Sequence, residues 1–174
     1  MARGAPQTQT MIFDFDLEFL RAAVALVDAS LARLDEDAKS SQDPDSFGIF
    51  DALEYITGFG FVACQTYAVA VVSRSRLKGK KSEALAFGPK HRTGRSVAQV
   101  MNAAANYWKH SSEWSLGAPT RQAKQTVDVI SSLGVDPDGS YPMANVLHEI
   151  LAPQAARFAN LMPLLTKWRD ALSR

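Results

Sequence analysis

The 174-residue chain has one cysteine, Cys64, so no internal disulfide can form. That fits a cytoplasmic protein, or one indifferent to redox state. Cys64 sits in an apolar stretch and reads as a small buried hydrophobe. There is no Cys-x-x-Cys pair, no phosphate-binding glycine-rich loop and no nucleophile elbow, so those chemistries are excluded. Histidine is scarce, and His91, His110 and His148 are far apart. His110 precedes Glu113 by three and His148 adjoins Glu149, which falls short of the repeated Glu-x-x-His pairs of a di-metal bundle. No metal and no cofactor is expected. Asp136-Pro137-Asp138-Gly139 opens like a calcium loop, but its twelfth position is Leu147, so it reads as a turn.

No leader is expected from the first ten residues: Met1 to Thr10 is polar and small, without a basic-then-apolar pattern. The longest uncharged run, Tyr55 to Val72, only brushes the length of a membrane span. It contains Thr57, Gly58, Gly60, Gln65 and Thr66, and five basic residues follow closely. It reads as a buried core helix, with no membrane partner expected.

What is present is a chain of one-domain length with 47% hydrophobic and 21% charged residues. The expected organisation is a flexible N-terminus over 1–13 and a single helical domain over 14–174. Leu17, Leu20, Val24, Val27, Leu31 and Leu34 alternate at spacings of three and four, one stripe of a helix capped by Asp14 or Asp16. Asp35 to Ser46 reads as a polar connection. A second helix, from about Phe47 to about Ser73, is apolar on most faces and belongs at the centre. Gly58 and Gly60 within it point to a kink or a close approach. Tyr55, Phe59, Tyr67 and Trp168 are expected as core aromatics.

A basic linker over Arg74 to Pro89 holds one short helical turn at Ser82 to Phe87. A third helix, from about Gly94 to about Glu113, is expected with Thr93 as cap. The chain breaks at Gly117 and Pro119. A fourth, from about Thr120 to Leu133, carries Ala123, Val127 and Ile130 on one side. Ser140 is the expected cap of a last region with Pro142 in its first turn. Pro153 and Pro163 divide that region, whose stripe is Phe158, Leu161, Leu165, Trp168 and Leu172. The fold class is all-α: a bundle of five or six helices with a central apolar second helix.

The net charge of +1 hides an uneven distribution. Eleven acidic residues lie between Asp14 and Glu54, against Arg21, Arg33 and Lys39. Arg74, Arg76, Lys78, Lys80, Lys81, Lys90, Arg92 and Arg95 then cluster against Glu83 alone, with His91 among them. Three readings stand: a solvated loop, pairing with the acidic segment within or between chains, or contact with RNA or DNA phosphates. The block lacks interleaved aromatics for base stacking.

The third helix places Asn102, Asn106, Lys109, His110 and Glu113 near one face, opposite Val97, Met101, Ala104 and Trp108. Asparagine is a mediocre helix former, so this face needs a reason. It is either a wet surface bonded to a neighbouring loop, or a proton-transfer or phosphate-contact site. A polar residue four before a histidine in an all-α chain resembles the HEPN helical domains of bacterial toxin and defence systems. That resemblance implies a metal-independent ribonuclease built across a dimer, in which His110 is the residue carried over. Asn106 stands where that motif has Arg, so Arg95 or Arg92 of another chain has to substitute. The candidate catalytic residues are therefore His110, Asn106 and Arg95.

The leading functional expectation is a cytosolic helical protein-interaction domain without a clear catalytic apparatus, whose partner is a second copy of itself or another protein. The alternatives are a HEPN-like nuclease or its inactive relative, and a nucleic-acid-binding regulator using the basic 74–95 segment.

Overall fold

The structure is a computed structural model that describes residues 14–114 and 120–173. It is an all-α bundle with no strand among the described residues, only an isolated bridge between Lys90 and Ser96. Seven α-helices are present among them: α1 (Phe15–Ser40), α2 (Ile49–Arg74), α3 (Lys81–Leu85), α4 (Val97–His110), α5 (Arg121–Ser131), α6 (Pro142–Leu151) and α7 (Phe158–Leu172). A single turn of 3-10 helix, Ser111–Glu113, extends α4. The total exceeds five or six because the turn after the basic block forms a helix of its own and the region around Pro153 separates α6 from α7. Pro163 lies inside α7 without ending it.

α1 follows its sequence stripe. Asp14 caps it by accepting the Leu17 N–H at 3.1 Å, and Leu17, Leu20, Val24, Val27 and Leu31 are buried. Leu34 is only half-buried. The helix runs on to Ser40, past the polar connection expected from Asp35, because Glu36 and Asp37 face solvent and the half-buried Asp35 pairs with Arg157 before α7. The Asp136–Gly139 turn is present, closed by Gly139 N–H to Asp136 O at 3.2 Å. Gly117 and Pro119, and the 1–13 segment, lie outside the described residues.

α2 and α4 together form the centre of the bundle. α2 touches α1, α3, α4, α6 and α7. α4 buries Val97, Ala98, Val100, Met101, Ala103, Ala104 and Ala105, a broader surface than one stripe, with small alanines admitting its neighbours. Its start differs from expectation. Ser96, not Thr93, is the cap, in a capping box where Ser96 Oγ accepts the Gln99 N–H and Gln99 Oε1 accepts the Ser96 N–H, each at 3.0 Å. Thr93 instead faces His91.

The two helical glycines of α2 admit aromatic rings rather than another backbone. A Cβ at Gly58 would lie 1.8 Å from Trp108 Cδ1, and one at Gly60 would lie 2.4 Å from Phe158 Cε2. Phe158 in turn meets Phe61 edge-on at 5.2 Å between centroids. Trp168 is fully buried and donates its indole N–H to Ala84 O at 2.9 Å.

Two carboxylates on early helices cap later ones. Glu54 accepts the N–H groups of Met143 and Ala144 at 2.7 and 2.9 Å, the first turn of α6. Ser140 does not cap this helix; Tyr141 occupies that position with φ of +56° and no side-chain cap. Asp28 accepts the N–H groups of Phe158 and Ala159, each at 2.8 Å, and so pins the start of α7. On α5, Thr120 caps by accepting the Ala123 N–H, and Thr126 is buried beside Ala123 and Ile130 while Val127 is half-buried.

Candidate functional site

The polar face of α4 is organised by one residue of α2, Gln65. Gln65 is buried, and its Nε2 donates to Asn102 Oδ1 at 2.9 Å and Asn106 Oδ1 at 2.8 Å. Lys109 Nζ donates to Gln65 Oε1 at 2.7 Å. An ammonium group can only donate, so it fixes which end of the Gln65 amide faces it. The face that needed a reason has one: its polar groups satisfy a buried glutamine inside an otherwise apolar helix.

The outer side of the same residues lines a cleft of about 310 Å³ between α3, α4 and α5. Arg95, Gln99, Asn102 and Asn106 form one wall; Gln122, Gln125, Thr126 and Asp128 form the other, with Ser82 and Leu85 at the base. Lys81 and Arg121 border an adjoining recess that shares Asn102, Asn106, Gln122 and Gln125. Partial desolvation, and then the nearby charge of Lys109, hold the Lys81 ammonium below the usual lysine pKa.

Of the candidate catalytic residues, Arg95 and Asn106 both line this cleft. His110 does not; its Nδ1 lies 3.1 Å from Glu113 Oε2, with the ring part-exposed. Arg95 and His110 stand at opposite ends of α4, about 20 Å apart at the helical rise per residue. They can meet only between two chains.

The basic segment does not act as one patch. Arg74 pairs with Asp16, Arg92 with Glu149 at 2.7 Å, and Lys80 with Glu83 at 3.6 Å. The Arg74–Asp16 pair joins the basic segment to the acidic one within the chain. Lys81 and Arg95 border the cleft, while Arg76, Lys78 and Lys90 are in no ion pair among the described residues.

A second surface was hidden in the apolar pattern of α2. Tyr55 and Phe59, expected in the core, are exposed, unlike Tyr67 and Trp168. Tyr55, Phe59, Thr66, Val69 and Ser73 follow one another at helical spacing along an outer face of α2. An apolar groove of about 390 Å³ separates that face from α1 and is bordered by Phe19, Ala23, Phe59, Val62, Thr66 and Ala70. Phe19 is 72% exposed, Leu26 74% and Phe59 52%. Tyr55 extends the surface onto Trp108 of α4, edge-on at 5.2 Å between centroids. Sequence reasoning missed this face because the buried and exposed sides of α2 are both apolar.

α2 is also the one helix among the described residues long and apolar enough to cross a membrane by length and composition, and half of its apolar window is buried within the bundle. No group of histidine, cysteine and carboxylate side chains among the described residues could hold a metal ion. Cys64 is fully buried, and burial pushes its thiol pKa well up, so it is unreactive. Compared with protein-family models, with curated proteins and with solved structures, the chain finds no match in any of the three.

Proposed function

We propose that this protein is a helical interaction domain whose partner is a second copy of itself, docked through the outer face of α1 and α2. The observation that carries this reading is the exposed apolar surface of Phe19, Leu26, Tyr55, Phe59 and Val69 flanking an apolar groove. Contiguous exposed apolar surface of this kind marks an interaction site.

Charge selects the partner. α1 and α2 run antiparallel, since Asp14 and Asp16 at the start of α1 bond Tyr67 and Arg74 near the end of α2. One end of the hairpin therefore gathers Asp43, Asp45 and Asp51, beside Glu36 and Asp37, which pair with Lys39 and Arg33. The other end leads into Arg76 and Lys78, which are in no ion pair among the described residues, while Asp14, Asp16 and Glu18 there are paired with Arg169, Arg74 and Arg21. A twofold axis perpendicular to the helices through the middle of the face sets the acidic end of each copy against the basic end of the other, an isologous arrangement that charge favours over the one with like ends together. It also pairs Phe59 of one copy with the Val69 region of the other. An anionic bilayer is disfavoured, because the acidic end would be repelled.

Sedimentation equilibrium tests the reading. The 19.0 kDa chain should sediment at twice that mass. Phe59→Asp should return it to a monomer with unchanged far-UV circular dichroism, and Arg76→Glu with Lys78→Glu should weaken the dimer at low salt. A wild type that stays monomeric at 100 μM, or a dimer indifferent to Phe59→Asp, would sink the proposal. Monomeric protein that floats with anionic vesicles would replace it with membrane docking.

A further inference from the structure

The cleft between α3, α4 and α5 lies away from the α1–α2 face, and its chemistry is of a different kind. Three amide side chains stand along its α4 wall: Gln99, Asn102 and Asn106. The oxygen of each is already taken. Gln99 Oε1 accepts the Ser96 backbone N–H at 3.0 Å, which fixes its orientation without ambiguity. Asn102 Oδ1 and Asn106 Oδ1 accept from Gln65, whose own orientation is set by Lys109. All three amides are thereby held with their oxygens turned away, and their NH2 groups make no hydrogen bond among the described residues. Each retains at least one N–H to donate.

The rest of the rim agrees with this polarity. Lys81 and Arg121 border the recess on the α3 and α5 sides and Arg95 stands at the start of α4, against Asp128 as the one acid on the lining. Lys81 of α3, Asn102 and Asn106 of α4 and Arg121 of α5 line this recess together. That arrangement suits a tetrahedral oxyanion, which offers acceptors in several directions, better than the two coplanar oxygens of a carboxylate. The size of about 310 Å³ falls at the small end of ligand sites, too small for a folded partner. No aromatic side chain lines it, so nothing stacks a nucleobase.

We propose that the recess adjoining this cleft binds a small phosphate-bearing molecule, with the phosphate held by the NH2 groups of Asn102 and Asn106 and by Lys81 and Arg121. Gln65 does not touch the ligand; it is a positioning residue that sets which end of each asparagine amide the cleft presents.

The full chain titrated at constant ionic strength with inorganic phosphate and with a nucleoside monophosphate, followed by NMR of the side-chain amide groups, tests this. Saturable shifts are expected at the Asn102 and Asn106 NH2 signals. Lys81→Gln should weaken binding about tenfold, and Asn106→Leu by a similar factor. Gln65→Glu removes the donor and should reverse both asparagine amides, abolishing phosphate binding while leaving helicity intact. Arg76→Gln, in the basic segment but off the cleft, should leave phosphate binding unchanged. The inference is overturned if no shift saturates at 10 mM phosphate or monophosphate. It is equally overturned if affinity ignores Lys81→Gln and Asn106→Leu, or if only an RNA oligomer binds and Arg76→Gln weakens it. Those two variants, at the rim, keep the test decisive even if Gln65→Glu does not fold. Loss of self-association in Phe59→Asp should leave phosphate binding unchanged, which separates the two proposals.

Discussion

Replacing Gly60 with alanine sets two physical effects against each other. Helix propensity favours alanine by about 1 kcal/mol in a helix interior. The new Cβ, however, would sit 2.4, 2.5 and 2.9 Å from three carbons of the Phe158 ring, whose ring must shift by roughly 1 Å to reach ordinary contact. Phe158 has nowhere to go: it is fully buried, its ring is seated on Phe61, and its backbone N–H is tied to Asp28. Overpacking of this kind costs about 1–3 kcal/mol, and a rigid neighbour places it at the upper end. The net expectation is a loss of about 2 kcal/mol, or about 4–8 °C in Tm for a chain of this length. Gly58 is the internal control. Its Cβ would approach Trp108 even more closely, at 1.8 Å, but Trp108 is only half-buried and can swing outward. Gly58→Ala should therefore cost less stability than Gly60→Ala while separating Trp108 from Tyr55 and shifting tryptophan fluorescence. Thermal and urea unfolding followed by circular dichroism measure both. A Gly60→Ala protein as stable as the wild type, or a reversed order of the two, would refute the packing argument.

Three further outcomes follow from single contacts. Burial raises the Asp14 carboxyl, but bonds from Arg169, the Leu17 N–H and Tyr67 outweigh it and leave the pKa below the usual 3.8. Asparagine keeps the cap but loses the ion pair to Arg169 at 2.9 Å, so Asp14→Asn should cost about 1–2 kcal/mol at neutral pH. Because the folded pKa is depressed, that advantage is complete above the unfolded value and disappears as pH falls through the folded one; urea midpoints of the two proteins should converge once the pH is below that depressed value. Glu54→Gln leaves one oxygen where two accept the Met143 and Ala144 N–H groups, and denaturation should show a loss of about 1 kcal/mol. Trp168→Phe removes the buried bond to Ala84 O and leaves a void, lowering stability by about 2–3 kcal/mol in the same assay.

Local rules read much of the fold directly. Asp14 and Thr120 cap their helices because a short side-chain oxygen before an apolar period satisfies orphan N–H groups wherever it occurs. The capping box at Ser96 and Gln99 carries the same signature, a serine three before a glutamine, and competes in the sequence with Thr93 three residues earlier. The caps supplied by Glu54 and Asp28 had no such signal. Each lies about 90 to 130 residues from the N–H groups it accepts, so only the folded chain brings the partners together.

Gln65 shows the limit most sharply at the candidate site. In the sequence it argues only that its helix is not a membrane span. In the structure it anchors Lys109 and both asparagines, and so decides what the cleft presents. The α4 face itself was visible from spacing alone, but its inner half serves Gln65 and its outer half the cleft.

The sequence by itself determined an all-α chain, most of its helix periods, the Asp14 cap, the Asp136–Gly139 turn and its uneven charge, because these depend on neighbours within a few positions. Only the tertiary structure decided which side of α2 is covered, since apolar residues occupy both sides and the choice is made by α1 and α4 packing against it. It also decided that His110 stands apart from Arg95 and Asn106, and that amide groups on α4 meet cations from α3 and α5. Those meetings depend on how helices cross, which residue spacing along one chain does not specify.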